Sequence, residues 1–455
     1  MKYKQIELFE NESGWKTIFH MALPAMVTML VMILYNLADM FFIGLLGDHT
    51  LVAAVALCSP VFTFIMAIGS MLGGGGCALI ARSLGEKNAE KAKCYSSLCF
   101  WASMIFGVCV MLTIMFFENS IIVSLGSKED AKEQTGTYLR ILCLGAPAMI
   151  FTSAFGSVIR AEGAVKESMV GNLLATATNI FLDPLFILAF KWGVGGAAIA
   201  TVLGNLVGSG YLLNYLFRTN TNLTISVRHA LQDPAKLFEI MSVGLPNAIS
   251  SLLSGTASAL GNNLLSQYGT VAIAANAASG KSTMVISMIQ MGLCMGVQPL
   301  IAYHYGNRNL PRIREALWKM AILTVSIGSG LTILCYFCSD SVVGLFLKEN
   351  FEALALGQKM MRIRILTGPI IGLFYIGSSF MQASGNAKLA AFTSMLRQAI
   401  FLIPLLYIMN KISGITGNIW AHVVADFLSA VVALLLLIWQ YRELEHAIAS
   451  EKIKG

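Results

Sequence analysis

The chain has 455 residues, of which 56% are hydrophobic and only 12% are charged. Soluble domains carry about 25% charged residues, so this chain has too few charges to cover a soluble surface of its size. The composition argues against a soluble enzyme, a disordered chain, a disulfide scaffold or a nucleic-acid-binding protein. It indicates an integral membrane protein. Basic loop residues that set orientation in the membrane account for the net charge of +7 without a polyanionic partner.

Apolar runs that are long enough to cross a bilayer recur along the chain, since a hydrocarbon core of about 30 Å needs roughly 20 apolar residues per helix. They are centred near residues 30, 65, 107, 149, 178, 206, 253, 288, 328, 371, 400 and 428. The sequence therefore predicts an all-α integral membrane protein with twelve transmembrane helices. Loops rich in Lys and Arg alternate with mixed loops, which predicts a multi-pass protein of the cell inner (plasma) membrane with both termini in the cytoplasm.

Short motifs recur at an offset of 222 residues or close to it. Ala22-Leu23-Pro24 returns as Gly244-Leu245-Pro246, and Gly145-Ala146-Pro147 returns as Thr367-Gly368-Pro369. The repeat predicts two pseudo-symmetric six-helix bundles around a central cavity, an architecture that suits alternating access. The predicted segments are an N-terminal six-helix lobe at 1–218, a cytoplasmic linker at 219–236, a C-terminal six-helix lobe at 237–441 and a cytoplasmic tail at 442–455.

Acidic and polar side chains inside the apolar runs are the sharpest functional signal, because an Asp at the bilayer centre costs about 2.5–3.5 kcal/mol on insertion scales. The predicted cation-binding residues are Asp39, Asn179, Asp183, Ala197 and Thr201. At about 1.5 Å per residue, all of them fall in the outer half of the membrane. Asp39, Asn179, Asp183 and Thr201 offer oxygen ligands for Na⁺. Two carboxylates placed close together would instead favour a bound proton, so the residues leave Na⁺ and H⁺ open.

These motifs resemble those of the multidrug and toxic compound extrusion family over essentially the whole chain. The motifs are the Ala-Leu-Pro and Gly-Leu-Pro openings, Asn36-x-x-Asp39, Asn179-Ile-Phe-Leu-Asp183-Pro184 and Gly193-Val-Gly-Gly-Ala197-x-x-x-Thr201. The resemblance implies that the five predicted cation-binding residues line a Na⁺ or proton site in the N-terminal lobe that drives export of cationic drugs. The chain is most similar to the bacterial branch that relies on this site, since the seventh and tenth apolar runs, centred near residues 253 and 371, carry no carboxylate of the kind found in other bacterial relatives.

A second group of side chains is predicted to line the substrate pathway. Four methionines, at positions 284, 288, 291 and 295, form one stripe on the apolar run centred near residue 288. Flexible thioethers suit substrates of many shapes, although ordinary core packing would use the same residues. Lys281 lies near the midplane and needs a partner such as Asp426. Asp426 has structural alternatives in His422 and Arg397. The predicted pathway residues are Asn36, Asn205, Lys281, Met284, Met288, Met291 and Asp426.

The chain shows no nucleotide-binding motif, so an ion gradient is the expected energy source. We expect a monomeric antiporter in the lipid bilayer that exports small amphipathic cations in exchange for Na⁺ or H⁺, with no cofactor, nucleotide or nucleic-acid partner and no enzymatic activity. A flippase for a lipid-linked precursor is one alternative, and it should have a strongly basic central cavity. An intramembrane aspartyl protease using Asp39 and Asp183 is another, although the sequence lacks the expected Gly-x-Gly-Asp signature.

Overall fold

The structure is a computed structural model that describes residues 9–10, 14–44, 49–125, 129–218, 221–344 and 351–454. The first helices are α1 (Gly14–Gly44), α2 (His49–Gly85), α3 (Ala89–Phe116), α4 (Glu118–Ser124), α5 (Glu129–Leu144), α6 (Ala146–Arg160), α7 (Val165–Pro184), α8 (Gly193–Arg218) and α9 (Val227–Gln232). The others are α10 (Lys236–Ser266), α11 (Thr270–Gly306), α12 (Leu310–Phe337), α13 (Ser339–Gly344), α14 (Phe351–Arg364), α15 (Gly368–Ala383), α16 (Ala387–Met395) and α17 (Ile403–Lys454). Within these ranges no residue forms a strand.

The described helices account for the twelve predicted spans. Ten segments are long and apolar enough to cross a membrane, and the pair α5 and α6, bent by 52°, supplies one more. The longest segment, Ala387–Ser450, is interrupted at Gly414, whose φ of +57° and ψ of −136° are not helical. Because glycine adopts such angles without a steric penalty, the chain turns there and the segment provides two spans. The predicted all-α membrane fold is confirmed.

Contacts divide the chain into two units that depart from the predicted lobes in two short segments. The first unit holds Met1–Asn11 and Val27–Ala248, and the second holds Glu12–Met26 and Ile249–Gly455. The beginning of α1 is thus grouped with the second unit and the beginning of α10 with the first. The predicted boundaries of lobes, linker and tail stay a prediction.

Close packing at glycines explains why the beginning of α1 is grouped with the second unit and the beginning of α10 with the first. In the second unit, a Cβ at Gly296 of α11 would lie 2.6 Å from the Met21 carbonyl oxygen and 2.9 Å from the Ala25 Cβ. In the first unit, a Cβ at Gly244 of α10 would overlap the carbonyl oxygen of Met71 in α2. Small residues let the backbones of membrane helices approach closely, which maximises van der Waals contact where the hydrophobic effect is absent.

Replacing Gly244 with Ala should destabilise the protein by about 1–3 kcal/mol, because the new methyl group meets a backbone carbonyl that cannot move by rotating a side chain. Gly255 lies in the same helix with no atom within 4 Å of the position a Cβ would take. Gly255→Ala should be neutral or slightly stabilising, since Ala favours a helix over Gly. Thermal unfolding of both purified variants in detergent checks the pair, and equal midpoints would contradict the packing argument.

Candidate cation site

The candidate site lies between α7 and α8 of the first unit, and glycines of α8 bring the two helices together. A Cβ at Gly204 would lie 2.5 Å from the Ala175 carbonyl oxygen, and one at Gly208 would lie 3.0 Å from the Gly171 carbonyl oxygen. The close approach leaves little room for lipid or bulky side chains between the helices. Polar groups carried on the facing surfaces must therefore satisfy one another.

A change of helix type follows directly after Asp183. Pro184 lacks a backbone N–H, so it removes one helical hydrogen bond and loosens the helix. Residues Leu185–Ala189 form a π-helical turn in which the Phe190 amide donates to the Leu185 carbonyl at 2.9 Å. π-helical turns are rare in proteins, and those that occur are often found at functional sites. Here the turn fixes where α7 ends relative to the acidic side chain.

The connection from α7 to α8 is held by packed aromatic rings and a tight turn. The Phe186 ring lies 5.0 Å from the Trp192 ring, and the Trp192 amide donates to the Phe186 carbonyl oxygen at 2.9 Å. Gly193 has φ of +57°, and a Cβ at Gly196 would lie 2.9 Å from the Phe186 Cβ. The turn therefore requires glycine, and it sets the register in which α8 faces α7.

Four of the predicted cation-site residues lie together and are buried. Asn179, Asp183, Ala197 and Thr201 are all at most 5% exposed. The Asn179 Nδ2 donates to the Thr201 hydroxyl at 3.2 Å and contacts the Asp183 Oδ1 at 3.5 Å. The Thr201 hydroxyl donates in turn to the Ala197 carbonyl oxygen at 3.1 Å. The structure thus joins the α7 pair and the α8 pair in one polar cluster.

The cluster offers the ligands that a small hard cation prefers. Its oxygens are the Asp183 carboxylate, the Thr201 hydroxyl, the Ala197 carbonyl and the Asn179 amide oxygen. The Asn179 Oδ1 is buried and has no hydrogen-bond partner among the described residues. Rotating this amide by 180° would turn its oxygen toward Thr201 and Asp183, where a bound cation or the proton of a protonated Asp183 would satisfy it, because an ionised carboxylate cannot donate. The arrangement can accept either a cation or a proton.

The remaining predicted residues of the first unit have different outcomes. Asn205 lies one turn after Thr201, and its Nδ2 donates to the Thr201 carbonyl oxygen at 2.9 Å. The backbone of α1 is helical at Asn36 and Asp39, but their side chains lie outside the described residues. Their predicted roles in the substrate pathway and the cation site stay predictions.

The predicted pathway residues of the second unit are placed on α11 and α17. Met284, Met288 and Met291 are half-buried on one stripe of α11, and Lys281 is half-buried in the same helix. Asp426 accepts a hydrogen bond from Arg397 Nε at 2.6 Å, so the structure contains the structural pair among the alternatives for this carboxylate. The role of these residues in a substrate pathway stays a prediction.

Glu162 and Arg364 are buried charged residues that were not predicted as functional, and each left a signal in the sequence. Glu162 follows α6, is 1% exposed, and accepts hydrogen bonds from the Tyr215 hydroxyl at 2.8 Å and the Asn222 amide at 3.2 Å. Burial raises the pKa of Glu162 to about 7 against those two bonds. Ser384 is the residue that matches Glu162 in the second sequence repeat. A carboxylate in one repeat where the other has a hydroxyl was the signal in the sequence. Arg364, 7% exposed, interrupts an apolar span.

Comparison with known proteins gives the family. The sequence model of the MatE family matches residues 24–185 and 246–408, and its two copies begin at the two repeat prolines. The chain is 30% identical over 456 residues, covering 100% of both chains, to the multidrug export protein MepA of Staphylococcus aureus strain MSSA476. It is 31% identical over 438 residues, covering 96% of each chain, to the MepA of Staphylococcus saprophyticus subsp. saprophyticus.

A solved structure agrees with this likeness. The crystal structure of a MATE protein in complex with MaL6 has a TM-score of 0.92 and 26% identity, covering 97% of this chain and 99% of that one. The family model spans more than half of the chain, the tandem repeat agrees with its two matches, and the twelve spans agree with the fold. The chain is therefore a multi-span membrane transporter, not an enzyme, and it belongs to the multidrug and toxic compound extrusion (MATE) family.

Proposed function

We propose that this protein is a secondary active multidrug exporter that expels amphipathic organic cations in exchange for Na⁺ or H⁺. The observation that carries the proposal is the buried cluster of Asn179, Asp183, Ala197 and Thr201 inside membrane helices of a MATE protein. A carboxylate buried in a membrane-spanning helix is costly to insert, and such groups mark ion or proton pathways. The similar S. aureus MepA is a multidrug export protein, which supports the drug-export part of the proposal.

In the proposed cycle, the coupling ion and the substrate favour different conformations of the first unit. Na⁺ or a proton enters the cluster from outside, with Asp39 as a further carboxylate, and stabilises the state that releases substrate outward. Loss of the ion to the cytoplasm restores the state that accepts substrate. Coupling requires only that each ligand has different affinities for the two states. No tightly bound cofactor takes part.

The proposed setting is the bacterial plasma membrane, with both termini in the cytoplasm and the protein acting as a monomer. The basic loops support this orientation because excess Lys and Arg stay on the cytoplasmic side. Exchange of one monovalent organic cation for one Na⁺ or H⁺ moves no net charge, so the chemical gradient of the coupling ion drives it. Each further coupling ion that enters per substrate adds roughly 2.3 kcal/mol per 100 mV, which is a factor of roughly 50 in the substrate gradient.

Efflux from proteoliposomes tests the proposal. The purified protein is reconstituted with the cationic dye rhodamine 6G, and a Na⁺ gradient at constant pH and a pH gradient without Na⁺ are imposed separately. We expect at least one gradient to drive dye transport, because the Asp183 cluster can bind either ion. Collapse of that gradient with an ionophore should stop transport.

Protein-free liposomes provide the background leak, and a fluorescent lipid-linked sugar analogue provides the competing substrate. Dye transport indifferent to both gradients would contradict ion coupling. Translocation of the lipid analogue without dye transport would favour the flippase instead.

A further inference from the structure

A second cluster of charged side chains lies in the second unit, and its single carboxylate is already bonded. Arg397 lies in the π-helical turn Leu396–Leu402, and Asp426 lies in α17. Arg397 Nε donates to the Asp426 Oδ1 at 2.6 Å, and its Nη1 donates to the Tyr375 hydroxyl at 3.2 Å. The Asp426 side chain is only 7% exposed. This pair therefore neutralises its own charges inside the membrane-spanning region.

Arg364 brings another positive charge to the same place without a bonded counter-charge. Its side chain is drawn electrostatically to Asp426, yet its Nε is buried without a hydrogen-bond partner among the residues that the structure describes. The residue is 7% exposed and lies about 16 Å along the span Ala353–Ala383. His422 lies within electrostatic range of both guanidinium groups and supplies no negative charge. The cluster therefore has one more positive charge than negative charge at this depth, which is costly.

A glycine faces the Arg364 guanidinium. A Cβ at Gly280 of α11 would lie 3.4 Å from the Arg364 Nη1, so a larger side chain would contact the Nη1 end of the guanidinium. The unpartnered Nε–H is parallel to an N–H of Nη2, and this pair of donors has the geometry that matches a carboxylate. A carboxylate placed there would satisfy the orphan donor and balance the charge.

We propose that Arg364 binds the carboxylate of the transported substrate. The inference rests on the proposed export function and narrows its substrate class: the compounds exported best carry a carboxylate together with their cationic centre. Asp426 holds Arg397 in place and keeps that guanidinium from taking the ligand. The cluster holds two guanidinium groups against one carboxylate, so a substrate carboxylate balances its net charge, whereas a substrate without a carboxylate gains no contact from Arg364.

A matched pair of dyes tests the proposal. Rhodamine 19 carries a free carboxyl group, and rhodamine 6G is its ethyl ester, so the two share one cationic ring system. Binding of each dye to the full-length protein in detergent is measured by fluorescence polarisation for wild type and for Arg364→Gln. Arg364→Gln should weaken rhodamine 19 binding by at least about tenfold, the effect of losing a charge-assisted hydrogen bond, and leave rhodamine 6G binding within about twofold.

Arg362→Gln is the matched control, because it removes the same charge two residues earlier in the same helix. Arg362 is partly exposed and donates to the Ser339 hydroxyl at 3.2 Å and to Asp340 at 3.4 Å. This variant should leave the binding ratio of the two dyes unchanged. Equal losses for both dyes in Arg364→Gln, or no loss for either, would overturn the proposal.

A competition experiment on the wild type keeps the proposal testable if Arg364→Gln does not fold. Benzoate should displace rhodamine 19, whereas benzamide, of the same size and without charge, should not. Displacement by chloride with no effect of benzoate would also overturn the assignment, since it indicates a simple anion site. If gradient-driven rhodamine 6G efflux persists while the carboxylate has no effect, this inference fails and the proposed export function stands.

Discussion

Replacing Asp183 with Asn should reduce ion-driven efflux to the leak rate, a loss of at least about tenfold, while the protein remains folded. Asn has the same size and still bonds to Asn179, but it neither carries a negative charge for Na⁺ nor exchanges a proton. The side chain is fully buried, so water cannot substitute for the missing charge. Gradient-driven rhodamine 6G efflux from proteoliposomes measures the loss.

Stability separates this effect from simple misfolding. An Asp in a membrane-spanning helix costs more to bury than an Asn, and functional sites are often less stable than their neutral replacements. Asp183→Asn should therefore unfold in detergent at the same temperature as wild type or higher. Asp340→Asn makes the same chemical change at an exposed side chain and should leave efflux unchanged. Full ion-driven efflux by Asp183→Asn would refute the proposed role.

The spacing of polar residues made part of the site predictable. Asn179 and Asp183 are four residues apart on one helix, and Ala197 and Thr201 are four apart on the next, so each pair shares a face. Counting residues from the loop between the helices predicts that both pairs lie at a similar depth in the membrane. The count does not predict which atoms of the two pairs form hydrogen bonds. The bond from Asn179 to Thr201, rather than to a carboxylate alone, depends on the close packing that Gly204 permits.

The charged cluster of the second unit was less predictable for a physical reason. Asp426 had three plausible basic partners in the sequence, and helix period alone does not choose among residues on different helices. In the π-helical turn Leu396–Leu402, the side chain of Arg397 projects in a different direction from the one it would have in a regular α-helix. The pattern of apolar residues does not reveal this turn. Arg364 could have been noticed as a charge within an apolar span, but its missing partner is visible only in the structure.

The two repeats differ at their matching turns in the kind of side chain they bury. In the first unit, the buried Glu162 accepts bonds from Tyr215 and Asn222. In the second unit, Ser384 occupies the matching position and accepts a hydrogen bond from Gln440 Nε2 at 2.8 Å. Both turns are held by side-chain hydrogen bonds to distant segments, but only the first carries an ionisable group. Protonation therefore affects this turn in the first unit and has no counterpart at Ser384.

Glu162 should make the stability of the protein fall as the pH rises from about 4.5 to about 7. Burial raises the pKa of Glu162 from its ordinary value of 4.5 to about 7, so the folded protein binds more protons than the unfolded chain between these values. Stability decreases with pH wherever the folded state holds the extra proton, and the full difference is about 3 kcal/mol. Above pH 7 the contribution stays constant.

Glu162→Gln should abolish this contribution to the slope, since the amide does not titrate. The amide also replaces one acceptor with a donor and weakens the bond from Asn222, and because the amide does not titrate, its own contribution to stability does not vary with pH. The slope of the thermal midpoint between pH 4.5 and pH 8 is therefore the measurement. Glu167→Gln is the control, because it removes another tyrosine–carboxylate bond, to Tyr211, from a half-buried side chain. Parallel slopes for wild type and Glu162→Gln would show that Glu162 keeps one protonation state throughout this range.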